Sequence, residues 1–182
     1  MTTERLELEV LTPGHADALF RGLSDKRLYT FIDDKPPVSL EALRRRYKKL
    51  ATQRSPDGLE TWLNWVVRKL RDREYVGYVQ ATITKDHWAI IAYVLFHGSW
   101  GYGYGREAAA AMLLELQINH GVSKFRAFVN PRNARSRSLL QSLGFELSGA
   151  NHPVPSDVRS KTCELVYVLR KTGVSRRQTG TD

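Results

Sequence analysis

Cysteine is almost missing from this 182-residue chain, with Cys163 the only one. That excludes an intrachain disulfide framework and any cysteine-based metal cluster, so no metal site is expected. Cys163 itself is expected to be a small buried thiol. No apolar run approaches the roughly 18–20 residues needed to cross a bilayer. The opening Met1-Thr2-Thr3-Glu4-Arg5 also lacks the basic-then-apolar pattern of a secretory leader, so the expectation is a cytoplasmic protein with no membrane partner. Repeats and interdomain linkers are absent as well. Acidic residues are the scarce charge: 19 Asp and Glu against 28 Lys and Arg leave a formal net charge of +9. Such an excess suits an anionic ligand, an acidic partner or a nucleic acid, and equally a plain soluble basic surface. What remains is ordinary globular composition, 42% hydrophobic and 26% charged. A single domain over residues 1–170 is expected, with the polar stretch 171–182 as a disordered tail.

In chain order, Leu6, Leu8 and Val10 alternate with Glu7 and Glu9, the pattern of a half-buried strand. Thr12-Pro13 then predicts a helix start and Ser24-Asp25 its end. A short helix is expected over Lys26 to Ile32. Ser39 is the next N-cap, and Leu40, Leu43, Tyr47 and Leu50 make one apolar helical face. Arg44, Arg45, Arg46, Lys48 and Lys49 are assigned to the opposite face, either simply solvated or a basic lip for an acidic substrate or RNA. Thr61 to Arg68 and Glu74 to Thr84 predict a hairpin, and Ala89 to Phe96 a third strand. That third strand is apolar at nearly every position, which predicts cover on both faces. A helix is expected over Glu107 to Asn119, then a strand over Phe125 to Val129, a helix from about Arg135 to Ser142, and a last strand over Glu164 to Arg170. Strand, helix, strand in this order implies a right-handed parallel crossover inside an otherwise antiparallel sheet, an α/β (α+β) fold.

The centre of this arrangement is Gly98-Ser99-Trp100-Gly101-Tyr102-Gly103-Tyr104-Gly105-Arg106, set between the apolar strand and the long helix. Glycines at alternate positions uncover backbone N–H groups, and the helix N-terminus adds partial positive charge, which together make an anion cradle. A Walker loop would need Gly-Lys-Ser/Thr at its end, whereas Gly105 is followed by Arg106-Glu107. A Rossmann fingerprint would need G-x-G-x-x-G and an acidic residue at the end of the next strand, and both are absent. A cradle for the pyrophosphate of a nucleotide-containing cofactor is therefore weighed against a glycine-rich turn without a ligand.

Trp100-Gly101-Tyr102-Gly103-Tyr104-Gly105-Arg106-Glu107-Ala108 resembles the acetyl-CoA pyrophosphate loop of the GNAT (Gcn5-related) N-acetyltransferases. Their usual form is Gln/Arg-x-x-Gly-x-Gly/Ala, so Gly103 and Gly105 match while Trp100 replaces the first residue. Asn133-Ala134-Arg135-Ser136, then Leu139-Leu140 and Leu143-Gly144-Phe145, is similar to the second cofactor motif of the Rim-type (RimJ/RimL-like) branch, which contains ribosomal-protein N-terminal acetyltransferases. The resemblance covers about residues 5–170 and is strongest over 90–149.

The resemblance implies a mixed, mostly antiparallel sheet whose two crossover strands splay apart, with acetyl-CoA in the cleft as co-substrate. Its pantetheine would pair with the backbone of Tyr93, Val94 and Leu95. The pyrophosphate would sit on the N–H groups of Gly101, Tyr102, Gly103, Tyr104, Gly105 and Arg106, beside Trp100. Asn133 would reach the pantetheine through its side-chain amide. Acetyl transfer to an amine requires loss of an amine proton, a donor to the oxyanion, and protonation of the departing thiolate. The family implies the Leu95 backbone N–H as the oxyanion donor. For the thiolate, relatives often use a tyrosine in the second motif; here Ser136 stands at the position some Rim-type enzymes use, with Ser138 second. An early-helix serine bonding only to backbone is the competing reading of Ser136. Glu164, where relatives place a His-Asp pair, is the candidate base, directly or through water; His97 and Asp33 are weaker ones.

The implied activity is an acetyl-CoA-dependent N-acetyltransferase acting on a primary amine by direct attack in a ternary complex. The acceptor is a protein N-terminus, with a ribosomal or other partner, or a small-molecule amine, and the enzyme a monomer or homodimer. The competing readings are an antibiotic-modifying acetyltransferase and a non-catalytic acyl-CoA-binding or RNA-associated module. A basic enzyme suits polycationic aminoglycosides poorly unless Asp33, Asp34 and Glu164 gather at the acceptor mouth.

Overall fold

The structure, a computed structural model, describes residues 1–148 and 165–171. Glu164, Cys163 and the 172–182 tail, on which sequence expectations were placed, lie outside these residues. Seven strands form one mixed sheet: β1 Leu6–Val10, β2 Thr61–Lys69, β3 Tyr75–Ile83, β4 Trp88–Leu95, β5 Lys124–Val129, β6 Glu146–Leu147 and β7 Leu165–Arg170. Their order is β1-β2-β3-β4-β5-β7-β6, antiparallel throughout except for the β4–β5 pair. Among the described residues four α-helices accompany the sheet: α1 Ala16–Leu23, α2 Leu40–Leu50, α3 Tyr104–His120 and α4 Ala134–Ser142.

Alternation along the strands sorts the side chains into two cores. Leu6, Val67, Val79, Ile91 and Phe125 pack with Met112 and Leu116 of α3 and Leu140 of α4 on one face. Val66 on the opposite side of its strand packs with Leu19, Leu23, Leu43 and Tyr47 of α1 and α2. The predicted Ser39 cap forms, its hydroxyl accepting from the Ala42 N–H at 3.1 Å, a contact worth about 1 kcal/mol to the helix. Thr12-Pro13 opens a short 3₁₀ turn over Pro13–His15 that leads directly into α1.

Four expectations are corrected. The stretch from Lys26 forms a 3₁₀ turn over Lys26–Thr30 rather than a helix to Ile32; Asp25 caps it through its own carboxylate. Helix α3 begins at Tyr104, not Glu107, because Gly103 takes φ +81° and serves as N-cap, so Gly105 and Arg106 lie in the first turn. Arg46 is not opposite the apolar stripe of α2. It lies three residues after Leu43 and four before Leu50, so it flanks the buried face, and its guanidinium reaches Asp34 at 2.8 Å. Finally, β4 is covered on both faces only over its first half. Trp88, Ala89 and Ile91 are buried, whereas Ala92 is exposed and Tyr93 and Val94 half-exposed. The apolar run there faces a cleft, which a period-based reading cannot tell from packed core. Strand β6 had no sequence signal, being only two residues long.

Candidate functional site

The cleft arises where β4 and β5 part. They pair in register only at Trp88–Lys124, Ala89–Phe125 and Ile90–Arg126, after which β5 pairs with β7 alone. The next residues of β4 therefore present unshared backbone to the gap. Which groups face it follows from the ladder with β3. Phe96 N–H donates to Val76 O at 2.8 Å, so Val94 two residues back also turns its polar groups to β3. By the same alternation the N–H groups of Tyr93 and Leu95 point into the gap. The end of β4 is fixed tightly. Gly77 of β3 lies so close that a Cβ there would fall 2.9 Å from the Leu95 Cα, and the Trp100 indole donates to Leu95 O at 2.7 Å.

The glycine loop turns at the mouth of this gap, and its three glycines serve different ends. Gly101 (φ +85°) and Gly103 (φ +81°) supply left-handed backbone that costs other residues about 1–2 kcal/mol. Gly105 has ordinary helical backbone, but a Cβ there would meet Leu139 Cδ1 at 3.0 Å and Leu95 Cδ2 at 3.4 Å. It is small so that α3 can approach α4 and β4. The first helical bond of α3 runs from Glu107 N–H to Gly103 O, leaving the amides of residues 103–106 without intrahelical acceptors.

Sequence reasoning missed the brace that holds this loop from outside. Glu107 Oε1 accepts from Thr3 Oγ1 (2.6 Å) and the Arg5 N–H (2.9 Å), and Oε2 from Arg5 Nε (2.7 Å). Arg5 Nη1 also donates to Tyr102 O at 2.9 Å, and its guanidinium sits 4.9 Å from the Tyr104 ring centre. Burial pushes the Glu107 carboxyl up, but the bonds from Thr3 and Arg5 outweigh it and hold the group below its ordinary value. An acidic residue in the first turn of α3 was the only available signal, and it does not name a partner 102 residues away.

The structure brings Trp100, Gly101, Gly103, Tyr104, Gly105, Arg106 and Asn133 to one cleft with Tyr93, Val94, Leu95 and Ser136. It does not bring Tyr102 there: that side chain is 63% exposed and stacks on Tyr104 with ring centres 5.8 Å apart. Trp100 spends its single donor on Leu95 and carries the Arg135 guanidinium on its ring at 4.6 Å. Arg106 reaches the last turn of α4, donating to Ser142 O at 3.4 Å. Asn133 is the N-cap of α4, its Oδ1 accepting from Ser136 N–H at 3.1 Å, which leaves its amide donors for other partners. Ser136 bonds neither to solvent alone nor merely to its own helix. Its Oγ lies 2.9 Å from the Tyr93 hydroxyl, which is also 3.2 Å from the Ser136 carbonyl oxygen. Burial raises the Tyr93 phenol to about 12 against a lowering pull from Ser136.

At its far end the cleft, about 1170 Å³ in volume, runs under the 27–34 segment. There Asp33 and Asp34 are joined by Arg46, Tyr78 and Gln80, with His97 at the loop side. Asp34 accepts from Arg46, and the Tyr78 phenol is pushed up to about 12 by burial, eased by the same guanidinium. Behind them the buried Tyr47 hydroxyl and Asn64 Nδ2 bond to no described protein group and line a small cavity of about 30 Å³.

The donor set fits the implied acetyl-CoA. Free helix-start amides and the Arg106 guanidinium suit a pyrophosphate, and the unpaired N–H groups of β4 suit the amides of a pantetheine arm. No group of three or more His, Cys, Asp or Glu able to hold a metal ion exists among the described residues.

A family model described as an acetyltransferase (GNAT) domain matches residues 5–146. Solved structures with the same fold include an acetyltransferase of the GNAT family from Bacillus anthracis, with TM-score 0.76 and 19% identity over 93% of this chain and 97% of that one. RimL, a ribosomal L7/L12 α-N-protein acetyltransferase in complex with coenzyme A, has TM-score 0.76 and 17% identity, covering 93% and 96%. A ribosomal-protein-S5-alanine acetyltransferase from Vibrio fischeri has TM-score 0.76 and 17% identity, covering 93% and 95%. No curated protein sequence matches the chain.

Proposed function

The chain belongs to the GNAT acetyltransferases, and from that premise we propose that it transfers the acetyl group of acetyl-CoA to a primary amine by direct attack in a ternary complex. The acceptor is a protein N-terminus or a small-molecule amine. The observation that carries this reading is the continuity of the cleft. One channel runs from the free amides of residues 103–106, past the open edge of β4, to the carboxylates of Asp33 and Asp34. A donor site and an amine-attracting site on one line are what direct transfer needs.

When bound, acetyl-CoA supplies an activated acyl group. The chain's residues do the rest. The amides of residues 103–106 and Arg106 hold the anionic end, and Asn133 turns its amide donors toward the arm. The Leu95 N–H, aimed into the gap beside the carbonyl anchored by Trp100, is the donor for developing negative charge on oxygen. Ser136 is the donor at the sulfur end. Asp33 and Asp34 attract a cationic amine, and Glu164 is the base, directly or through water.

RimL is a ribosomal L7/L12 α-N-protein acetyltransferase and the Vibrio fischeri protein a ribosomal-protein-S5-alanine acetyltransferase, which favours a protein acceptor, and a ribosomal partner with it, over an antibiotic. A panel of peptide N-termini and small amines, followed by thiol release, tests the reading. Acetyl-CoA should bind by calorimetry and at least one amine should turn over. Failure to bind acetyl-CoA overturns it; binding without any turnover reduces the protein to an acyl-CoA-binding module.

A further inference from the structure

Tyr93 sits on β4 and Ser136 in the first turn of α4, on opposite walls of the gap that β4 and β5 open. Their hydroxyls nevertheless meet at 2.9 Å. This is the one side-chain bridge across the cleft at that depth among the described hydrogen bonds, and the second cofactor motif does not contain it. A serine in the first turn would ordinarily bond back to its helix. Here Asn133 Oδ1 already occupies the Ser136 N–H. Because the Oγ lies against Tyr93, the orientation of its single proton depends on which hydroxyl donates.

We infer that Tyr93 is a positioning residue: its phenol donates to Ser136 Oγ and so turns the Ser136 proton outward, toward the sulfur of coenzyme A. This rests on the acetyl-CoA reading of the cleft given above. The alternative geometry is explicit. Tyr93 could donate instead to the Ser136 carbonyl at 3.2 Å, with Ser136 spending its proton on Tyr93 and offering nothing to the cleft. The shorter contact favours the first arrangement, with the carbonyl at 3.2 Å sharing the same phenol proton as a weaker second acceptor. Tyr93 keeps its proton throughout, since burial holds its phenol well above neutral pH, so no proton changes owner within the pair. What the tyrosine supplies is direction. An alkoxyl oxygen that accepts one hydrogen bond also donates a stronger second one, because linked hydroxyls polarise each other. The arrangement gives this chain a tyrosine at the sulfur end even though its second motif offers a serine.

The test is Tyr93→Phe beside Ser136→Ala and the double variant. The first readout is independent of turnover: ultraviolet titration of the thiolate of bound coenzyme A. The wild-type protein should favour bound thiolate about tenfold more than Tyr93→Phe does, a shift of about one pH unit. The second readout is steady-state kinetics. Tyr93→Phe should lower kcat about tenfold with the KM for acetyl-CoA changed less than about twofold, and the double variant should fall no further than Ser136→Ala. Equal thiol titration in wild type and Tyr93→Phe overturns the inference, as does an unchanged or raised kcat. A raised KM at constant kcat would mark Tyr93 as cleft lining only, and also overturns it. Failure of the acetyl-CoA reading looks different: coenzyme A then binds no variant, the wild type included, and the sulfur-directed role falls with it.

Discussion

The two ends of the cleft are built from different material. At the glycine end the groups on offer are backbone amides from four consecutive residues, 103–106, at one helix start. At the carboxylate end they are side chains from three separate places: Asp33 and Asp34 from the segment before α2, Arg46 from α2, and Tyr78 and Gln80 from β3. The first end needs certain positions to carry no side chain, with Arg106 beside them. The second needs particular side chains brought together by the whole fold. Behind it lie two buried polar atoms, the Tyr47 hydroxyl and Asn64 Nδ2, that bond to no described protein group. An end made of backbone can serve the same ligand across many chains, while an end made of side chains can change its ligand one substitution at a time.

The largest expected effect breaks the backbone end by adding a side chain to it. Gly105→Val places its Cβ at 3.0 Å from Leu139 Cδ1, and the branching methyls then push α3 off α4 and β4. Overpacking of this kind costs about 1–3 kcal/mol. Acetyl-CoA affinity should fall about 100-fold by calorimetry, about 2.7 kcal/mol, because the displaced amides no longer converge. Tyr102→Ala is the matched control: its ring is outside the cleft, so affinity should stay within about twofold. A large loss on Tyr102→Ala would show that side chains matter at this end too.

The next effect should fall on the other end alone. Asp34→Asn removes the charge that Arg46 meets at 2.8 Å. Both groups are well exposed, so little stability is at stake. The free Arg46 guanidinium would then repel a cationic amine at the mouth. The acceptor KM should rise about tenfold while acetyl-CoA affinity stays unchanged. Equal losses for both ligands would mean the two ends are not separable.

The same contrast explains what the sequence made legible. The turn at Gly101, Gly103 and Gly105 was readable because a backbone cradle leaves a local trace of spacing and missing Cβ atoms, whereas Asn133 and Ser136 came only from the resemblance of their segment to a family motif. The strand and helix order was readable because each element carries its own period. The Tyr93–Ser136 contact and the Arg5–Glu107 brace span 43 and 102 residues, and no local pattern encodes such distances. Arg46 was misplaced because a run of like charges hides which member flanks the apolar stripe. Half of β4 was expected as core because an apolar run does not say whether protein or ligand covers it.

A smaller effect tests whether the brace belongs to the backbone end. Glu107 has its carboxyl held below the ordinary value of 4.5 in the folded protein. A depressed carboxylate adds stability that is fully present above the unfolded value and is lost as pH falls through the folded one. Glu107→Gln should therefore lower Tm by a few degrees at about pH 7. The gap between variant and wild type should close as the pH drops below about 4.5 and through the depressed folded-state value. A gap that persists at low pH would assign the loss to packing around Thr3 and Arg5 rather than to charge.

The smallest effect concerns the basic surface. Of the run on α2, Arg44 is paired with Asp17 at 2.7 Å, Arg46 with Asp34, and Lys49 lies 5.6 Å from the Trp62 ring centre. Arg45 and Lys48 are exposed, and no salt bridge or ring contact among the described residues involves them. If the surplus charge is only a solvated face, Arg45→Glu with Lys48→Glu should change kcat/KM for any amine by less than about twofold. A partner that used this face would reveal itself through salt. RNA affinity, or turnover of an acidic peptide, would fall on charge reversal and fall again as ionic strength rises, since exposed charges are screened beyond roughly 8–10 Å. A strong, salt-sensitive loss would extend the acceptor end of the cleft outward along α2. A flat response would confine recognition to the side chains around Asp34.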